Sequence, residues 1–105
     1  MSATSQEELS FQIILNAGNS RTMSLEALEL SRKGNIQKAE QLLKEASLEL
    51  NKAHEVQTKM LSEYANGVET VSNILLTHAQ DHVVMATLTL DLAKELIILR
   101  KEGKK

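Results

Sequence analysis

Counted in sevens, the last third of the chain reads Val71, His78, Met85, Leu92 and Leu99 along one row. Ile74, Asp81, Leu88 and Glu95 form the row beside it, and Leu76, Val83, Leu90 and Ile97 form a third row across the helix. A seven-residue apolar repeat fits an α-helix of 3.6 residues per turn and does not fit a strand. Apolar rows on two sides must be covered on two sides, so this helix is expected to be central in its assembly rather than draped over a core.

The rows are interrupted at His78 and Asp81, where the pattern calls for a residue such as leucine. In Leu75-Leu76-Thr77-His78-Ala79-Gln80-Asp81-His82-Val83-Val84-Met85, the two imidazoles are one turn apart, and Asp81 is three residues from the first and one from the second. A carboxylate buried without a partner is costly, so Asp81 calls for a cation, a strong hydrogen-bond donor or a raised pKa.

The remaining sequence supplies more helix and few breaks. Proline is absent and glycine occurs 4 times in 105 residues. Aromatics are 2% against 42% hydrophobic residues overall, so the core must be built from Leu, Ile, Val, Met and Ala. An all-α fold is expected, as one domain over residues 1–105.

Glu7 and Glu8 suit a helix N-terminus, and Phe11, Ile14, Leu15, Gly18, Leu25 and Leu28 predict a first helix over about 5–33. Arg32-Lys33 followed by Gly34 is a C-terminal signal, and Asn35 is expected to cap the second helix. Gly18 inside the first helix predicts a close approach by a neighbour. The polar cluster Asn16, Asn19, Ser20 and Arg21 around it reads as a solvated face or as a contribution near a site.

The second helix is expected over about 36–64, with Ile36, Leu43, Leu50, Gln57 and Tyr64 in one row and Ala39, Ala46, Ala53 and Met60 beside it. That small-residue row predicts tight helix packing. Lys38, Glu40, Lys44, Glu45, Glu49 and Lys52 mark its wet face, and His54 lies three residues before Gln57. Gly67 ends the helix, Thr70 is the expected cap of the third, and that helix is expected over about 70–101 before the tail Arg100-Lys101-Glu102-Gly103-Lys104-Lys105. Three antiparallel helices of about 45 Å each result. The third helix has no fourth to cover its second apolar surface, which predicts self-association.

A formal net charge of -2 and few aromatics give no reason to expect nucleic-acid binding. No apolar run reaches the length of about 18 residues that spans a membrane, and Met1-Ser2-Ala3-Thr4-Ser5 lacks a signal-peptide pattern, so a soluble cytoplasmic protein is expected. Without cysteine, chemistry must rest on His, Asp, Glu or hydroxyls. Spacing alone leaves three readings of the central stretch open. His78 and His82 could hold a transition metal with His54 or Asp81 as a third ligand, both could be structural, satisfied by carbonyls or by Gln57 and Gln80, or one could be a nucleophile.

Ala17-Gly18-Asn19-Ser20-Arg21, Ala53-His54-Glu55-Val56-Gln57-Thr58 and above all His78-Ala79-Gln80-Asp81-His82 give the chain a family likeness. It resembles the enzyme IIA components of the lactose/cellobiose (including diacetylchitobiose) group of the bacterial phosphoenolpyruvate-dependent sugar phosphotransferase system. Val83-Val84-Met85 stands where that family commonly has Leu-Met, an apolar change. The resemblance implies a phosphocarrier in which His78 accepts a phosphoryl group from HPr and gives it to a cysteine of the IIB component, which acts with IIC on the incoming sugar. It implies supporting roles for His82 and Gln80 and a homotrimer of three-helix protomers. Asp81 from each chain would meet at the trimer axis around Mg2+.

Overall fold

In a computed structural model the described residues are 3–70 and 73–103, and they form three helices, α1 (Ala3–Arg32), α2 (Ile36–Ala65) and α3 (Ile74–Gly103). The all-α fold and the three-helix count agree with the sequence pattern. Val71 in the first heptad row, Met1 and Ser2 of the polar lead, and Lys104 and Lys105 of the tail lie outside the described residues.

Both helix stops expected at glycine are formed. Gly34 has φ 91° and Gly67 φ 90°, left-handed values that side chains rarely adopt. Around the first, Asn35 N donates to the Leu30 carbonyl at 2.9 Å and Gly34 N to that of Ser31 at 3.1 Å. Around the second, Val68 N donates to Glu63 at 2.9 Å and Gly67 N to Tyr64 at 3.1 Å. This paired pattern satisfies carbonyls that a helix end otherwise leaves open. Gly34→Ala is expected to destabilise the protein by about 1 kcal/mol, read as a Tm lower by a few degrees. An unchanged melting curve would show that the left-handed residue is not needed.

The caps differ from expectation. Asn35 occupies the N-cap position of α2, but its side chain makes no capping bond. For α3 the cap is Asn73 rather than Thr70: Asn73 Oδ1 accepts the Leu76 N–H at 2.9 Å, so the helix begins at Ile74. A short polar side chain three residues before a free N–H serves this role, and Asn73 is in register for it.

Helix α1 is the middle of the protomer, packing along both α2 and α3, which touch each other far less. Its core stripe is not the expected one. Phe11, Leu15 and Leu25 are 60%, 62% and 45% exposed, whereas Ser10, Ile13, Ala17, Ser20, Ser24, Ala27 and Ser31 are buried. A helix flanked on two sides needs slender side chains there, and the buried serines need local partners. Ser24 Oγ donates to the Ser20 carbonyl at 2.9 Å and Ser31 Oγ to that of Leu28 at 2.8 Å. Gly18 is not a contact point either, since a Cβ built on it meets nothing within 4 Å.

Both expected rows of α2 point inward through Ala39, Leu43, Ala46, Leu50, Ala53 and Met60, although Tyr64 at the end of one row is exposed. In α3 the row Leu76, Val83, Leu90 and Ile97 packs inward together with Ala79, Ala86 and Ala93. The other two rows stay at the surface: Ile74, Met85, Leu88, Leu92 and Leu99 are exposed, with Asp81 and Glu95 among them. Within one protomer α3 is thus covered on one side only. No helix among the described residues is long and apolar enough to cross a membrane.

Candidate functional site: a histidine pair on α3

His78 and His82 sit in the second and third turns of α3. Their Nε2 atoms are 3.0 Å apart, and the rings meet edge to face with centroids 4.5 Å apart at 86°. One ring must donate and the other accept, so at most one of the facing nitrogens carries a proton. His78 is exposed and His82 half-buried.

The surroundings assign the proton. Burial above all, then the charges of His78 and Arg21, hold His82 below the usual imidazole value, with Asp81 pulling the other way. A neutral His82 has one N–H. Its Nδ1 is buried, with no hydrogen-bond partner among the described residues. An orphaned donor is the costlier orphan, so we place the proton on Nε2, directed at His78. His78 Nε2 then presents its lone pair to that N–H.

Which side of α3 carries the pair can be told from Arg100, eighteen residues beyond His82 and so about five turns along the same meridian. Arg100 Nη1 donates to the Leu28 carbonyl at 2.7 Å and to Ser31 Oγ at 2.6 Å, both on α1. The histidines therefore flank the α1–α3 seam.

The other expected site residues are distributed differently. Gln80, two positions from His78, is turned by roughly 200° around the helix. Its Oε1 accepts a hydrogen bond from Gln57 Nε2 on α2. Both glutamines line a groove of about 510 Å³ with Met60, Tyr64, Thr70 and Leu76, on the α2 side of α3. Within a protomer Gln80 therefore does not face His78, and two residues of spacing already forbid it.

Asp81 is exposed beside the apolar rows, and no salt bridge involves it among the described residues. His54 is exposed over a shallow surface pocket with Asn51, Glu55 and Thr58. Among the described residues no three His, Cys, Asp or Glu side chains converge to hold a metal, so the three-ligand zinc reading lacks its third ligand within a protomer.

The polar cluster of α1 divides between its two neighbours. Asn19 Nδ2 donates to Glu49 Oε1 at 2.9 Å on the α2 side, where Lys52 Nζ holds Oε2 at 2.8 Å. The Lys52 and Asn19 hydrogen bonds keep the Glu49 carboxyl below its usual range. Arg21, two positions on from Asn19, is turned by roughly 200° from it, and its positive charge is felt at the His82 ring. Sequence reasoning grouped these residues; their 100° steps around the helix separate them.

A paired imidazole on a helical rod is shared by many proteins, and comparison with known ones decides what this pair belongs to. The family described as the PTS system lactose/cellobiose-specific IIA subunit matches residues 8–101. The chain belongs to that family. It is 40% identical over 93 residues to the lichenan-specific phosphotransferase enzyme IIA component of Bacillus subtilis, covering 89% of this chain and 84% of that protein. The structure of PtcA from S. mutans is similar, with 42% identity and a TM-score of 0.93, covering 96% of this chain and 99% of that one. So is the IIA(chitobiose)–HPr complex of the N,N'-diacetylchitobiose branch of the Escherichia coli phosphotransferase system, with 30% identity, a TM-score of 0.80 and coverage of 95% and 97%. The protein is thus a sugar-specific IIA component of a phosphotransferase system, of the lactose/cellobiose type.

Proposed function

We propose that this protein carries a phosphoryl group on His78, taken from HPr and passed to a cysteine of a IIB component that acts with IIC on a lactose-, cellobiose- or chitobiose-type disaccharide. The observation that carries the reading is the histidine pair: an exposed imidazole whose Nε2 lies 3.0 Å from the Nε2 of a second, half-buried imidazole. The similarity to a IIA solved with HPr supports the donor.

The step is an exchange of N–P bonds. His78 Nε2 forms a bond to phosphorus as the bond to the donor's imidazole breaks, and the donor imidazole leaves. Imidazole is a good nucleophile near neutral pH, and the resulting phosphoramidate stays reactive enough for an onward transfer to a thiolate. His82 Nε2–H, released from the lone pair it contacted, then donates to a phosphoryl oxygen. Gln80 is assigned a supporting role across a subunit boundary, since within its own chain it faces α2.

Incubating the protein with phosphoenolpyruvate, enzyme I and HPr is expected to yield one acid-labile phosphate per chain, mapped to the peptide containing His78. No acid-labile phosphate, or phosphate elsewhere, overturns the reading. His82→Ala is expected to slow the transfer by on the order of a hundredfold without eliminating it, as loss of one transition-state donor does. Complete loss, with phosphate mapped to His82 in the parent, would exchange the two roles.

The reading extends to a homotrimer with α3 at its centre. Its support is the exposed strip of Met85, Leu88, Leu92 and Leu99 on a helix whose other side is already packed. Asp81 lies beside that strip with no basic partner among the described residues, so a three-fold axis there would bring three carboxylates together. An oxygen donor set of that charge fits Mg2+, held by one Asp81 per chain. Bound there, the ion would neutralise mutual repulsion and take no part in phosphoryl transfer. The protein is expected to work in the cytoplasm, where HPr is.

A further inference from the structure

Exposed apolar side chains are not confined to the strip on α3. On α1, Phe11, Gly18 and Leu25 recur at seven-residue spacing and share one face, with a large exposed side chain on either side of the glycine. Glycine weakens the middle of a helix, and its usual justification is the close approach of another one. Gly18 has no such neighbour in its own protomer: a Cβ there would meet nothing within 4 Å among the described residues. The face is turned roughly 60–100° from Leu28, away from the buried stripe, and so looks out past the α1–α3 seam.

The opposite flank of the protomer has complementary relief. Two surface grooves lie between α2 and α3, one of about 510 Å³ lined by Gln57, Leu61 and Gln80, the other of about 650 Å³ lined by Leu48, Lys94 and Ile98. Leu48, Leu61 and Ile98 are exposed. Lys44 and Lys94 at the second groove make no salt bridge among the described residues, and neither does Glu26 beside Leu25.

The heights match as well. Arg100 meets residues 72 and 69 positions earlier on α1, so an α1 residue is level with the α3 residue about that much farther on. Leu25 is then level with Lys94 and Ile97 at the second groove, and Phe11 with Gln80 at the first. The bonds to α2 agree: Asn19 meets Glu49, so on the antiparallel α2 Phe11 is level with Gln57, which is itself bonded to Gln80. Gly18 falls between the two grooves. A three-fold axis along α3 carries one protomer into the next without changing height, and it sets the α1 flank of each against the α2 flank of its neighbour.

We propose that Phe11, Gly18 and Leu25 of one protomer seat on the α2–α3 face of the next, with Leu25 in the groove between Lys44 and Lys94, Phe11 in the groove of Gln57 and Gln80, and Gly18 against the stretch of α2 between them. This rests on the three-fold assembly with α3 at its centre. The glycine then has its close neighbour, supplied by a second copy of the chain. Glu26 meets the unpaired lysines of the groove, and opposite charges across an interface help to fix register. The same contact brings the partner subunit's Gln80 to the height of His82 on the flank that carries the histidine pair, so the phosphoryl site is completed between two protomers.

The test uses the full, untagged chain, which has no cysteine of its own. Leu25→Cys is combined either with Ile98→Cys, at the height of the seat, or with Leu61→Cys, on the same flank at the other groove. A short bismaleimide should link the first pair between chains into trimers on a denaturing gel and leave the second pair unlinked. Gly18→Phe should keep the parent's helix content by circular dichroism, because its own protomer leaves that space open, and should sediment as a monomer where the parent is a trimer. Links formed equally by both pairs, links only within one chain, or a Gly18→Phe protein as trimeric as the parent overturn the seat. A parent that sediments as a monomer overturns the three-fold reading and the seat with it.

Discussion

His78→Ala protein is expected to accept no phosphoryl group from HPr while keeping its three helices. Two features of the structure make the loss complete and the fold tolerant. His78 is exposed in an early turn of α3, so removing its ring opens no internal cavity, and surface substitutions of this kind stay within about half a kcal/mol. The lost ring has no stand-in. His82 is half-buried, its Nδ1 is enclosed, and the N–H we place on Nε2 leaves no lone pair facing outward. Circular dichroism should therefore superimpose on the parent's, and the acid-labile phosphate should vanish. Phosphorylation of His78→Ala to near-full stoichiometry would remove His78 from the chemistry.

The second large effect concerns assembly. Chelating divalent cations should loosen the proposed trimer, whereas Asp81→Leu should tighten it or free it from metal. Within one chain Asp81 is exposed, so leucine there gains nothing until another copy covers it. At a three-fold seam the balance reverses. Three carboxylates repel one another and lose hydration, and a hard cation offsets both effects. Leucine removes the charge and buries apolar surface contributing about 1.5–3 kcal/mol per chain, if the space accommodates it. Sedimentation equilibrium of both proteins, with magnesium and with chelator, separates the cases. A parent equally trimeric in chelator, or an Asp81→Leu variant that falls to monomer, would take Asp81 off the axis.

What the sequence disclosed and what it hid divide along a physical line. Helix number, both glycine stops and the His78–His82 contact depend on local geometry, which the order of residues determines directly. So does the inward row of α3 through Val83 and Leu90. The stripe on α1 was misread because Phe11, Leu15 and Leu25 recur at helical spacing, while the residues that pack are mostly serine and alanine, which carry no hydrophobic signal. Gly18 promised a close neighbour and has none among the described residues. The Gln57–Gln80 bond depends on how helices slide past one another, and no spacing within one helix encodes that register. Asn73 was legible as a cap, but Thr70 offered the same chemistry three residues earlier.

The middle position of α1 also bears on how the molecule comes together. Helices α1 and α2 are joined through the short turn at Gly34, so bringing them side by side closes a small loop. Helix α3 must find α1 across the whole length of α2, and it gains little from α2 itself. Closure entropy grows with the length of chain enclosed, so the α1–α2 hairpin is the easier pairing and the docking of α3 the harder one. On an undocked α3, His78 and His82 are two side chains one turn apart and nothing more. The seam that half-buries His82 comes into being with the last helix to settle, so the histidine pair acquires its surroundings only in a chain that has finished folding.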